Sequence, residues 1–171
     1  MSLPRDEERA VISDIELRIT PGKGEGIFAS RAFRTDEIVL IGVLDGKAIE
    51  NHSHASQLSE TEFGFHVGLT SKFNHSCDPN CGIRLNDTGA HDFVAMRPIA
   101  QNEEATFDYA MRNFRIEHFP GSCTCGDELF RGSVTGWRDL PQARKQAYQG
   151  FVAPYLVAMD HADGQRGQVV A

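Results

Sequence analysis

Two stretches of this 171-residue chain concentrate side chains that could do chemistry. The first is Asn74-His75-Ser76-Cys77-Asp78-Pro79-Asn80-Cys81. Asn, Ser, Asp and Pro favour turns and local side chain to backbone bonding, so neither a helix nor a strand has a use for this composition. Phe73 precedes it and the alternating run Cys81–Leu85 follows. A polar segment wedged between apolar elements positions something; an ordinary Asx turn with incidental cysteines is the plain alternative. Cys123-Thr124-Cys125 brings two further thiols, which with Cys77 makes three. A closed structural zinc site wants four ligands. Cys81 and His118 are candidates for the fourth, and a reduced, partly buried cysteine cluster is the alternative. His75 and Cys77 as base and thiol nucleophile would need a third, orienting group, and none is evident.

The second stretch is Glu103-Glu104-Ala105-Thr106-Phe107-Asp108-Tyr109. Tyr148 and Tyr155 fall in a helical C-terminal region, so Tyr109 is the only phenol of the β-rich part. Phe107 and Tyr109, two apart, also suit plain core packing. Upstream, Gly22, Gly24 and Gly26 lie within five positions, where the missing Cβ atoms let backbone approach a ligand closely. This is no dinucleotide fingerprint, because neither a helix pattern nor a βαβ unit surrounds it. A tight turn is the plain reading.

The elements that must position these residues are short. Ile15, Leu17 and Ile19 alternate as a half-buried strand, and Ile27-Phe28-Ala29 resumes after the glycine turn. Ile38–Leu44 reads as one apolar strand ending in a hairpin-type turn at Asp45-Gly46. Residues 47–62 are polar, hold His52 and His54, and have room for a short helix. Phe63, Phe65 and Val67 alternate; so do Ile83 and Leu85; Phe93–Met96 forms a strand ended by Pro98. Ala105–Ala110 is expected as a strand with Phe107 and Tyr109 on one face. Pro141–Met159 has helical spacing, with Ala143, Ala147, Phe151 and Tyr155 on one stripe and Pro154 kinking or dividing it. The tail from Asp160 is expected to fray.

Composition narrows the class of protein. Hydrophobic residues make up 40 % and charged residues 24 %, ordinary for a soluble globular domain. A net charge of −7 without any Lys/Arg-rich run argues against nucleic acid and suits a cationic partner such as a basic peptide tail. No apolar run reaches the roughly 18 residues that span a bilayer, so no membrane partner is expected. Met1–Ala10 lacks an apolar core of signal-peptide type, and four cysteines then read as reduced thiols or metal ligands. The expected location is the cytoplasm, or the nucleus if the source is eukaryotic.

Taken in order, Lys23-Gly24-Glu25-Gly26-Ile27-Phe28-Ala29, Asn74-His75-Ser76-Cys77-Asp78-Pro79-Asn80, Glu104-Ala105-Thr106-Phe107-Asp108-Tyr109 and Cys123-Thr124-Cys125-Gly126 with Arg131-Gly132 resemble the SET-domain lysine methyltransferases. The resemblance covers about residues 15–132. It implies a mainly β fold of small curved sheets with a threaded pseudo-knot, plus a C-terminal helical extension. The implied units are a lead over 1–13, a catalytic SET domain over 14–116, a post-SET-like segment over 117–137 and a C-terminal helix and tail over 138–171. It implies methyl transfer from S-adenosylmethionine to the ε-amine of a lysine in a protein or peptide. Lys23, Gly24, Glu25, Gly26, Asn74 and His75 would bind the cofactor. Tyr109 would be the catalytic residue, and Phe107 and Tyr109 would line the lysine channel. Phe107 stands where this family carries Phe or Tyr, and a Phe leaves room for more than one methyl.

The chain departs from the family at its post-SET segment. That pattern is Cys-x-Cys-x4-Cys, completed by the cysteine of Asn-His-Ser-Cys, and here Phe130 stands at the last position. Cys77, Cys123 and Cys125 would be ligands if a fourth were supplied, so zinc is not expected. Leu129 and Phe130 would instead pack over the cofactor. A small-molecule amine methyltransferase, or an inactive SET-like module that only binds cofactor or peptide, are the rival readings.

Overall fold

A computed structural model describes residues 13–48, 50–51, 54–119 and 122–168. His52 and most of the N-terminal lead lie outside the described residues. The chain opens with strand β1 (Ile15–Thr20), antiparallel to β2 (Gly24–Ala29), with Ile15 opposite Ala29 and Thr20 opposite Gly24. Residues 21–23 alone make the turn, closed by the Lys23 N–H donating to the Thr20 carbonyl at 3.1 Å. Gly22 inside it and Gly24 just after it have φ 78° and 79°, the left-handed region that glycine enters without strain. The glycine stretch is therefore a hairpin whose second half is already strand.

Strands β3 (Ile38–Leu40), β4 (Leu44–Ala48), β5 (Ala55–Gln57), β6 (Phe63–His66), β7 (Asn74–His75), β8 (Cys81–Leu85), β9 (His91–Ala95) and β10 (Glu104–Phe107) follow. One sheet runs β1-β2-β10-β8-β9-β3, with β7 beside β10; a smaller one runs β4-β6-β5. This mainly β, curled architecture with helices after it is the class expected. Three local expectations fail. The apolar run 38–44 is two strands, broken at Gly42, where a Cβ would collide with the His91 backbone. Asp45-Gly46 lies inside β4, where the register against β6 shifts between Leu44 and Lys47, so it is a bulge rather than a hairpin turn. Residues 47–62 supply β5 and, among the described residues, no helix.

The core forms where the sheets curl around three phenylalanines. Phe73 and Phe93 stack at 3.9 Å, and Phe107 meets Phe93 edge-on at 4.9 Å. Helices α1 (Gln142–Ala147) and α2 (Pro154–Gln168) close one side. Pro154 does divide the helical region, because it opens α2 at a position where its missing N–H has no intrahelical partner. The four-residue stripe is interrupted there. Phe151 falls between the helices and its carbonyl accepts from Ile83 N–H at 2.8 Å. The tail does not fray at Asp160. Lys145–Asp160 and Arg138–Asp163 pairs, at 2.7 and 2.8 Å, tie α2 back to the preceding segment. No helix among the described residues is long and apolar enough to cross a membrane.

Two neutral histidines join the small sheet to the large one. His91 N–H donates to His66 Nε2 at 2.9 Å, and His66 Nδ1 lies 3.0 Å from Ser56 Oγ. His91 Nε2 meets the Tyr155 hydroxyl at 2.8 Å, and that hydroxyl donates to the Gln57 carbonyl. Burial, with help from the Arg112 charge, pushes His66 down to about 4, and burial holds His91 well below its ordinary value. The unfolded chain, with histidine near 6.5, binds more protons than the native one below that pH. Stability is thus full above about pH 6.5 and falls toward pH 4, by up to about 1.4 kcal/mol per pH unit for each histidine. Thermal melts between pH 7.5 and 4.5 should show Tm dropping across this window, with a shallower drop for His66→Gln. A flat wild-type profile would contradict this account.

Candidate active site

Strand β10 gathers the site. Glu104 and Ala105 pair with β2, Thr106 pairs with Asn74, and Phe107 is flanked by His75 and Cys81. The glycine hairpin and the Asn74 segment are therefore fixed by the same four residues. Asn74 Nδ2 donates to Glu104 Oε1 at 2.8 Å and to the Glu25 carbonyl at 3.2 Å. Lys23 Nζ lies 3.4 Å from the other Glu104 oxygen. A Cβ at Gly26 would stand 2.7 Å from Asn74 Nδ2 and 2.6 Å from Glu104 Oε1, so a side chain there would displace that bond.

Tyr109 is not on a strand. The Asp108 carboxylate accepts from Ala110 N–H at 3.1 Å and starts a 3-10 turn at Tyr109–Met111, so β10 ends at Phe107, three residues short of the expected Ala110. The turn swings the phenol ring to 5.2 Å from the His75 ring and 5.0 Å from Phe107. Its hydroxyl donates to the Phe73 carbonyl at 3.1 Å. Its N–H donates to His75 Nδ1 at 3.3 Å, which places the histidine's own proton on Nε2, 3.4 Å from Cys77 Sγ. Burial pushes His75 down to about 4 despite the attraction of Asp108, so the ring is neutral at pH 7. Burial also raises the Tyr109 hydroxyl, which stays protonated.

A cavity of about 310 Å³ opens on one side of Tyr109, walled by Lys23, Asn74, His75, Phe119, Cys125 and Val134. That is the lower end of the range for ligand and cofactor sites. A second, much smaller opening, about 10 Å³, is walled by Asn51, Arg112, Asn113 and Glu117. Tyr109 and Phe119 line both. Of the residues singled out in the sequence, Lys23, Asn74, His75 and Tyr109 face the cavity. Gly24, Glu25 and Gly26 form the strand behind it, and Phe107 is buried beneath Tyr109. Leu129 and Phe130 are 45 % and 50 % exposed and do not wall the cavity; Phe119 and Val134, which the sequence reading passed over, are its apolar side.

The thiols cluster below. Cys77 Sγ and Cys123 Sγ are 3.8 Å apart, and His75 Nε2, Cys77 and Cys123 lie within 4.8 Å of one another. Burial pushes the Cys77 thiol up to about 12 and raises Cys123, with side-chain contacts to Cys125 adding to both. His75, Cys77 and Cys123 could each offer a metal ion one donor atom, one short of a closed tetrahedral site, and Phe130 adds none.

Asp108 is the residue that sequence reasoning undervalued. Its carboxylate, fully buried, lies 2.7 Å from Arg131 Nη1, accepts from the Tyr148 hydroxyl at 3.1 Å and stands 3.6 Å from His75 Nδ1. Asp127 on the same closing segment accepts from Ser76 Oγ at 2.6 Å. The signal was present: an acid between two aromatics at the end of an apolar strand must be paired to be buried.

The SET domain family model matches residues 24–110, just over half of the chain. The chain belongs to the SET-domain family. Over 68 residues, 37 % of the chain, it is 41 % identical to "Histone-lysine N-methyltransferase trithorax" of Drosophila virilis. Over 68 residues, 38 % of the chain, it is 34 % identical to "Histone-lysine N-methyltransferase, H3 lysine-4 specific" of Saccharomyces cerevisiae. Over 73 residues it is 37 % identical to the protein of the same description from Neurospora crassa. The matched regions span only 2 %, 6 % and 5 % of those relatives.

Removing one member of a buried ion pair leaves the other uncompensated and costs about 3 kcal/mol or more. Arg131→Met should therefore destabilise the SET fold by that order in urea melts, and Asp108→Asn with Arg131→Met should recover part of it. Strictly additive losses in the double-mutant cycle would mean that the pair is not coupled.

Proposed function

We propose that this SET-family protein is an S-adenosylmethionine-dependent lysine methyltransferase that acts on a protein or peptide. The observation that carries the reading is that one phenol, Tyr109, walls both a cofactor-sized cavity and a second, much smaller opening. Lys23, Asn74, His75 and the backbone of the Gly24–Gly26 strand would hold the cofactor, with Phe119 and Val134 as its apolar side. Bound there, the cofactor supplies an electrophilic methyl on a sulfonium. Residues 14–116 would be the catalytic unit, with 117–137 closing it and no zinc ion needed.

The chemical problem is the amine. A free lysine has a pKa of about 10.4, so offering it neutral at pH 7 costs about 4.6 kcal/mol. A channel walled by Phe119, Tyr109 and the buried Phe107 disfavours the ammonium by desolvation. Tyr109, protonated and held by the Phe73 carbonyl, orients the amine rather than taking its proton. What remains is alignment of nitrogen and methyl at near-attack distance. The net charge of −7 suits a lysine in a basic segment, and the relatives are named for acting on histone lysines.

Labelled-methyl transfer to an array of lysine peptides tests the reading. Wild type should label a subset, and Tyr109→Phe should lose about 100-fold or more, as removal of a positioned donor does. Binding of S-adenosylmethionine without transfer to any amine would favour the inactive binding module. Phe107 gives a second expectation: mass spectrometry at saturating enzyme should show di- or trimethyl product, and Phe107→Tyr should restrict it to monomethyl. Monomethyl product alone from wild type would overturn the role given to Phe107.

A further inference from the structure

The outer edge of β1 (Ile15–Thr20) plays no part in the site. This strand begins the larger sheet and pairs with β2 alone. Its register decides which backbone groups face outward. The Asp14 carbonyl accepts from Ser30 N–H at 2.8 Å, one step beyond the Ile15–Ala29 pair. Bonded and non-bonded pairs alternate along an antiparallel ladder, so Glu16, Arg18 and Thr20 turn their N–H and C=O groups to β2. Ile15, Leu17 and Ile19 turn theirs to the outer edge, where no strand among the described residues pairs with them.

The side chains there are unguarded. Leu17 is 39 % exposed and Ile19 78 %. Glu16 and Arg18 project from the other face and touch each other; Arg18 Nη2 donates to Asn102 Oδ1 at 2.6 Å, and its guanidinium carbon stands 4.9 Å from the Phe28 ring centroid. Sheet edges are commonly blunted by a bulge or a proline. The β1 register runs without a shift from Ile15 to Thr20 and holds no proline.

We propose that β1 pairs antiparallel with β1 of a second copy of this chain, about a two-fold axis through Leu17. Ile15-Glu16-Leu17-Arg18-Ile19 carries an acid and a base on either side of Leu17, with an isoleucine beyond each. Reversed onto itself, the strand sets Leu17 against the copy's Leu17, Glu16 against the copy's Arg18 and Ile15 against the copy's Ile19. Opposite charges and apolar pairs facing each other across strands are the contacts that stabilise a sheet. The same axis makes Ile15, Leu17 and Ile19 the bonded pairs, with roughly six backbone bonds across the edge. Moving the axis one residue either way would set Glu16 opposite Glu16 of the copy, or Arg18 opposite Arg18. Side-chain charge and backbone direction thus select one register, and the occupant they select is this chain itself. A strand this short buries less than a standard interface, so the dimer is weak and assembles at micromolar concentrations and above. In it, the β2 strand that carries Gly24–Gly26 lies one strand from the two-fold edge.

Sedimentation velocity of the full chain from about 1 to 500 µM tests the proposal. The mean mass should rise toward twice that of the chain, and the amides of Leu17 and Ile19 should exchange more slowly as concentration rises. Glu16→Arg and Arg18→Glu should each stay monomeric, because each sets like charges opposite one another. An equimolar mixture of those two variants should associate, because every arginine of one then meets a glutamate of the other. Wild type that stays monomeric throughout would overturn the proposal. So would either single variant associating as tightly as wild type, or a mixture of the two folded variants that stays monomeric. Amides already protected in the dilute monomer would show the edge covered within one chain, which also overturns it. Should either charge variant fail to fold, Leu17→Lys takes their place, since it sets two ammonium groups on the axis and leaves Glu16 and Arg18 unchanged. A loss of at least about tenfold in dimer affinity supports the proposal, and a smaller loss overturns it.

Discussion

The buried carboxylate of Asp108 constrains this structure more than any other single group. A charge with no exposure to water must be answered by protein, and here the answers come from two distant parts of the chain and from the adjoining turn. Arg131 arrives from the closing segment, Tyr148 from the C-terminal helices and Ala110 N–H from the turn that follows. Such a pair adds little net stability compared with a well-packed apolar substitute. Its effect is geometric, because each partner is held where the carboxylate can be satisfied. Tyr109, the next residue, inherits that position.

The same logic makes the cavity wall electrically quiet. His75 is neutral because it is buried, and its tautomer is fixed because the Tyr109 N–H needs Nδ1 as acceptor. That tautomer turns an N–H toward Cys77, whose own proton is turned toward Cys123. The run of donors from Tyr109 to Cys123 thus has one direction and joins the turn that carries Tyr109 to the closing segment. Around it the charges come in pairs, Lys23 with Glu104 and Arg131 with Asp108.

What the sequence disclosed, and what it hid, follow from the range of the forces involved. Alternation at Ile15–Ile19, Phe63–Phe65 and Ile83–Leu85 is local, and the strands lie there. The chemistry-bearing strings Asn74–Cys81 and Glu104–Tyr109 were likewise visible as composition, and the structure brings them together along β10. The break at Gly42 was not visible, because its cause is the backbone of His91, half a domain away in sequence. Nor was the early end of β10. Phe107-Asp108-Tyr109 alternates as well as any strand, and only the buried partners of Asp108 divert it into a turn. Leu129 and Phe130 drew attention by replacing a ligand position, while Phe119 and Val134, which wall the cavity, carry no pattern at all.

The C-terminal extension also belongs to the site rather than hanging from it. Tyr155 on α2 donates to the carbonyl of Gln57, which is on β5 of the small sheet. Gln57 in turn donates its N–H to Asn113 Oδ1 at 3.3 Å and accepts from Phe114 N–H at 2.9 Å. Asn113 walls the small opening beside Tyr109. An opening of about 10 Å³ is altered by any shift of its wall larger than a fraction of an ångström, so its width is set by whatever fixes Asn113. That fixing passes through Gln57 to a helix more than forty residues further along the chain. The β core supplies the turn that carries Tyr109, but the width of the small opening beside it is held from outside, by the Tyr155 hydroxyl on α2.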